Sequence, residues 1–174
     1  MNLIKLPQPK KKGIFSFEEV LIKRRTIREF SDQKISLNEI SNLLYAGMGK
    51  IKNTEFFTTP SAAKLNSLKL YFISENTEAQ PGIYVYHPGK HEIEQIYKES
   101  LIDDFFLACV GQPWVSEMSA MILISSDLPV ITEKFGERGK NYAFLEAGHC
   151  AQNILFSSTT QNIGAVPIAA FYED

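Results

Sequence analysis

The chain has 174 residues, 44 % of them hydrophobic and including 12 Phe and 7 Tyr, enough apolar side chain for one domain that folds without disulfide or metal staples. Eighteen basic residues against twenty acidic ones leave a net charge of -2, which argues against nucleic acid and anionic membrane as partners. No apolar run reaches the roughly 18 to 20 residues of a membrane span, and the first residues lack the apolar core of a secretory signal, so a cytoplasmic protein is expected.

Residues 1–15 read as an N-terminal arm ahead of a single domain over 16–174, with Lys10, Lys11 and Lys12 beside Gly13 suiting a solvated arm better than a phosphate-binding tail. Ser16 with Glu19, and Ser36 with Glu39, fit the S-x-x-E capping box, in which two side chains satisfy free amides at a helix start. Helices are therefore predicted to about Lys23 and to about Gly47, the second with Leu37, Ile40, Leu43 and Leu44 on one face. Residues 50–59 are polar and aperiodic, a loop ending in Pro60-Ser61-Ala62, which can open a short helix. Residues 68–74 read as a strand, and 82–87 and 92–98 alternate about Pro88-Gly89-Lys90 as a hairpin.

A helix is predicted over about 101–110, another from Pro113, and a buried strand over 120–126. The longest helix follows over about 140–161, where Ala147, Gly148 and Ala151 form a stripe of small residues. That stripe suits either close packing within the chain or contact with the same helix of a second subunit across a two-fold axis. Residues 164–171 close the chain as a strand. Strands before and after helices, with a hairpin, predict an α+β sandwich rather than a doubly wound sheet.

Three guanidiniums stand within five residues at Arg24-Arg25-Thr26-Ile27-Arg28. Arginine's rigid fork fits phosphate oxygens and a threonine hydroxyl adds a donor, so the cluster is either a cradle for a cofactor phosphate or a solvated basic turn. Pro60-Ser61-Ala62 offers small side chains and free amides to a flat ring. Gln152 and Asn153 are amides in an otherwise apolar helix, either satisfied core groups or ligand contacts. Tyr142 and Glu146 share a helical face and suit either an acid/base pair or a core tyrosine with an exposed glutamate, and His149 lies near that face. His87 and His91 lack ligand spacing, and Cys109 and Cys150 lie far apart in apolar surroundings, so no metal site is expected.

Taken in order from Leu6-Pro7 to Phe171, these segments resemble the nitroreductase superfamily. Arg24 to Arg28 followed by Glu29-Phe30-Ser31 is similar to its R-R-S-x-R-x-F signature, with Thr26 in place of serine. Pro60-Ser61-Ala62 resembles the P-S-A segment that lies against the flavin ring, and Leu68-Lys69-Leu70-Tyr71 the P-L-E-[LF]-Y strand, with Ser67 and Lys69 departing from it. The resemblance implies a homodimeric three-layer sandwich, its central, mostly antiparallel sheet covered by helices on both faces, binding FMN at the subunit interface. It also implies phosphate and ribityl contacts from Arg24, Arg25, Thr26 and Arg28, ring contacts from Pro60, Ser61 and Ala62, and further cofactor contacts from Gln152, Gly164, Ala169 and Ala170. Ala169 stands where classical nitroreductases carry a glutamate.

Pro81-Gly82-Ile83-Tyr84-Val85-Tyr86, Gly111-Gln112-Pro113-Trp114-Val115 and the run from Tyr142 to Asn153 resemble the thiazoline/oxazoline dehydrogenase branch. That branch oxidises azoline rings in peptides to azoles and reduces FMN, which implies an acid/base pair of Tyr142 and Lys140, although Asn141 occupies the lysine's place. Two alternatives stand beside it: a generic NAD(P)H-dependent reductase of small nitro or quinone substrates, and a non-catalytic flavin-binding subunit of a peptide-modifying complex. The C-terminal extension of the family is expected to be short or missing.

Overall fold

Alternate side chains of a single strand, β2 (Leu68–Ser74), feed two separate cores. Leu68, Leu70 and Phe72 point to one side of the sheet and Tyr71 and Ile73 to the other, as the two-residue period of a strand requires. The computed structural model describes residues 2–172. Its sheet has five strands in the order β1 (Asn2–Lys5), β4 (Glu92–Tyr97), β3 (Gly82–His87), β2 and β5 (Ala120–Ser126), and every neighbouring pair is antiparallel. One face packs on α2 (Leu37–Met48) and α6 (Arg138–Thr160), through Ile40, Leu44 and Cys150. The other packs on α3 (Ile102–Ala108) and α4 (Pro113–Ser116), with Cys109, Val115 and Met118 in its core. Helices on both faces of an antiparallel sheet make the expected three-layer α+β sandwich.

Both capping boxes form. In α1 (Phe17–Lys23) the Ser16 hydroxyl accepts from Glu19 N at 3.2 Å, and Glu19 Oε2 accepts from Ser16 N at 2.7 Å. Ser36 and Glu39 repeat this at the start of α2, at 3.3 and 2.8 Å.

The sequence reading is corrected in three places. Residues 2–5 of the supposed arm are the edge strand β1, and Leu6 behind them is buried, whereas Lys10 to Lys12 are exposed. The segment is fastened at His91, whose Nε2 lies 3.0 Å from Pro7 O while Leu6 N donates to His91 O at 3.1 Å. Second, an unforeseen helix, α5 (Leu128–Phe135), fills the interval before α6. Gly139 lets the two helices meet: a Cβ there would stand 2.8 Å from Ile131 O. Third, residues 164–171 form no strand, although the run is apolar. Pro167 has no N–H to donate to a ladder, and the backbone is spent elsewhere, with Ala165 O accepting from Ile27 N at 3.0 Å and Ala170 O from Gln112 Nε2 at 3.1 Å. The small-residue stripe is divided: Ala147 packs into the first core while Gly148 faces open space. No helix among the described residues is long and apolar enough to cross a membrane.

Candidate functional site

The arginine segment leaves α1 at Arg24 and runs alongside the C-terminal segment. The bond from Ile27 N to Ala165 O joins them, and Gly164 is pressed against Ile27, where a Cβ would come within 2.9 Å of Cγ2. Arg24 is half-buried, and Arg25, Thr26 and Arg28 are exposed. None of the three guanidiniums pairs with a carboxylate among the described residues. Their tasks differ. Arg25 folds back, its Nη1 donating to Ile22 O and Arg24 O at 2.8 Å each, so it completes the C-terminus of α1. Arg28 lies over the ring of Trp114 at 5.0 Å, a cation–π contact to α4. The indole Nε1 beneath it is buried without an acceptor among the described residues. Ile168 packs into the same cluster as Trp114, and Ala169 and Ala170 beyond it are exposed.

A second group forms where the loop before β2 meets α6. Glu146, Cys150 and Asn153 follow one another on one helical face and each holds the loop. Asn153 Nδ2 donates to Thr58 O at 3.2 Å and to Thr59 Oγ1 at 3.3 Å, and Glu146 Oε1 accepts from Ala62 N at 2.6 Å. Cys150 is wholly buried, and burial pushes its thiol up to about 12 against the opposing hydrogen bond with Thr59, so it is inert as a nucleophile near neutrality. Pro60 is exposed, and Ser61 and Ala62 are half-buried. The turn Ala62–Lys64 continues into left-handed backbone, with φ of 50° at Ala63, 59° at Lys64 and 51° at Asn66. Left-handed conformation costs about 1 kcal/mol or more per residue with a side chain, and such strain survives only where surrounding bonds enforce it.

Sequence reasoning placed Glu146 on a face with Tyr142 and weighed an exposed side chain or an acid/base partner. Glu146 is 4 % exposed and bonded to a residue 84 positions away. Tyr142 instead packs edge-on against Phe135 of α5, ring centroids 4.9 Å apart, and its hydroxyl makes no hydrogen bond among the described residues. Lys140 is engaged by the exposed Glu137 at 2.8 Å, and that ammonium holds the Glu137 carboxyl below its ordinary range. Residues two apart on a helix do not share a face, so Lys140 and Tyr142 are not brought together. Of the two amides, Asn153 carries the loop bonds, while Gln152 is half-buried and unbonded among the described residues.

An antiparallel sheet between two helical layers, with unpaired arginines beside the C-terminal segment and a strained loop held on the longest helix, has the architecture of the nitroreductase fold. The description of the nitroreductase family matches residues 21–174. A protein of Methanocaldococcus jannaschii classed among the nitroreductases is 32 % identical over 158 residues, spanning 90 % of this chain and 80 % of that one. The chain therefore belongs to the nitroreductase family, whose members are oxidoreductases that generally bind flavin.

Solved structures share the fold. A protein of Anabaena variabilis classed as a nitroreductase superposes with a TM-score of 0.78 at 23 % identity over 90 % of this chain, which spans 33 % of that longer protein. One of Ralstonia eutropha gives 0.73 at 23 % identity over 91 % of this chain and 72 % of its own. A chain of the E. coli microcin synthetase complex gives 0.67 at 18 % identity over 90 % of this chain and 64 % of its own.

Proposed function

We propose that this protein is an FMN-dependent oxidoreductase acting on a small-molecule or peptide substrate. The observation that carries this reading is the set of guanidiniums without carboxylate partners beside the C-terminal segment. Free guanidinium donors are what a phosphate monoester requires, and Arg24 and Arg28 are the two whose forks are not spent on backbone carbonyls. The Pro60-Ser61-Ala62 segment, small in side chain and fixed on α6, suits a flat ring resting on backbone. FMN, when bound, supplies two-electron hydride chemistry, while the chain binds it and shapes the substrate cleft.

The motifs shared with the thiazoline/oxazoline dehydrogenases support oxidation of azoline rings in peptides, with the unbonded Tyr142 hydroxyl as the group that moves a proton. One observation favours the second reading, a generic NAD(P)H-dependent nitro or quinone reductase: Lys140 faces away from Tyr142 and is held by Glu137, so no lysine–tyrosine pair serves a reacting atom. Steady-state assays with an azoline peptide and with NAD(P)H plus a quinone separate the two.

The flavin claim is tested first. Purified protein should titrate with FMN to saturation, and Arg24→Ala or Arg28→Ala should raise the Kd about 10- to 100-fold, the worth of one hydrogen bond to a charged group. Absence of binding at saturating FMN would sink the oxidoreductase reading.

We further propose a homodimer. Phe144 is 76 % and Leu145 58 % exposed on the outward side of α6, next to the open Gly148, an apolar face that a second copy of the chain would cover.

A further inference from the structure

A buried carboxylate without a cationic partner asks for an explanation, because glutamate is almost never fully buried unless something compensates it. Glu146 is such a group. No lysine, arginine or histidine pairs with it among the described residues, and its recorded partner is the backbone N–H of Ala62. That amide belongs to the segment on which the flavin reading rests the ring.

The segment carries strain, since three of the four residues after Ala62 are left-handed. Bonds within the loop close its far side: Lys64 N donates to Ser61 O at 3.1 Å, Leu65 N to Ala62 O at 3.1 Å, and Asn66 N to Ser61 Oγ at 2.8 Å. These fix the turn's shape but not its place in the molecule. Its place comes from α6, where Asn153 grips the loop before Pro60 and Glu146 grips it after Ser61. The Glu146 bond is short and involves a carboxylate, a geometry that tolerates little displacement of the amide.

We propose that Glu146 is a positioning residue: it fixes the backbone of Pro60-Ser61-Ala62 at a set height above α6, so that the surface offered to the flavin ring exists before the cofactor arrives. Glu146 touches no substrate and transfers no proton in this role. The inference rests on the flavin reading for its functional half and on the geometry alone for its structural half.

The test compares wild type, Glu146→Ala, Glu146→Gln and Ala62→Pro by two readouts, hydrogen–deuterium exchange of residues 63–66 in the protein without FMN and the Kd for FMN. Glutamine keeps a carbonyl that accepts from Ala62 N, and proline removes the donor while suiting the first position of a helical turn. Glu146→Ala should speed exchange and raise the Kd about tenfold, the equivalent of one such bond. Glu146→Gln should stay within about threefold of wild type, and Ala62→Pro should raise exchange and Kd at least as much as Glu146→Ala, because it leaves the buried carboxylate without its donor. The double variant Glu146→Ala/Ala62→Pro should be no worse than either single one, because both remove the same bond.

Wild-type exchange and Kd in Glu146→Ala would overturn the proposal, and so would faster exchange with an unchanged Kd. If Glu146→Ala does not fold, Ala62→Pro decides from the loop side. Wild type that binds no FMN would overturn the flavin reading and the functional half with it, while the exchange data still decide whether Glu146 sets the loop.

Discussion

His91 shows how much one side chain can hold together. Its ring lies edge-on between Tyr45 of α2 and Tyr86 of β3, with centroids 5.7 and 5.8 Å away. The Tyr86 hydroxyl stands 2.8 Å from Nδ1, and Ser41 Oγ 2.7 Å from Nε2. Because Ser41 Oγ donates to Pro7 O, the consistent assignment has Nε2 carrying the proton toward Pro7 and Ser41 while Nδ1 accepts from Tyr86. Burial lowers the imidazole's affinity for a second proton below the ordinary 6.5, and the Pro7 carbonyl opposes this more weakly. An unfolded chain protonates His91 near 6.5 and the folded one only at lower pH, so protonation favours unfolding. The stability that neutral His91 supplies is whole above pH 6.5 and drains as pH falls toward the folded value. Thermal melts of wild type and His91→Gln should show the wild-type advantage shrinking from about pH 7.5 to 5.5, whereas a constant gap would mean that His91 does not titrate in this window.

At the scale of elements, the α5–α6 junction depends on a missing side chain. A Cβ on Gly139 would lie 2.8 Å from Ile131 O and 2.9 Å from Ile131 C, backbone atoms that cannot rotate aside. Gly139→Ala should therefore lower stability by about 1–2 kcal/mol even after alanine's better helix propensity. In a chain of this size that is a fall in Tm of about 2–8 °C, measurable by circular dichroism. The elements that were legible beforehand were those with local causes. Capping boxes, the hairpin turn and the β2 alternation act over a few residues and appear where the sequence puts them. Elements with distant causes were hidden. β1 is four residues long and owes its conformation to a partner some 90 residues away, and residues 164–171 carry a strand-like pattern with no ladder to join. The site divides in the same way. The arginine cluster and Pro60-Ser61-Ala62 were visible as motifs, but Glu146 was not recognised as holding the latter, because the amide it bonds is remote in sequence.

At the scale of the whole molecule, the proposed homodimer has its interface on the outward face of α6. Buried apolar surface contributes roughly 25 cal/mol per Å², so covering the exposed Phe144 and Leu145 would contribute to the proposed dimer. Phe144→Glu should convert a dimer into a monomer in sedimentation analysis, with unchanged far-ultraviolet circular dichroism because Phe144 is 76 % exposed. A monomeric wild type at micromolar concentration would remove the dimer from the proposal. A dimer unaffected by Phe144→Glu would move its interface elsewhere.

The chain contains one tryptophan, and it is the residue under Arg28. All of the protein's indole emission therefore originates at the seam between the arginine segment, α4 and the residues packed around Ile168. Light absorbed and re-emitted there reports on that seam alone, undiluted by signals from the rest of the sandwich. The molecule thus carries its own optical probe at one end of the candidate site, and the arrival of an anion at Arg28 can be followed without attaching a label.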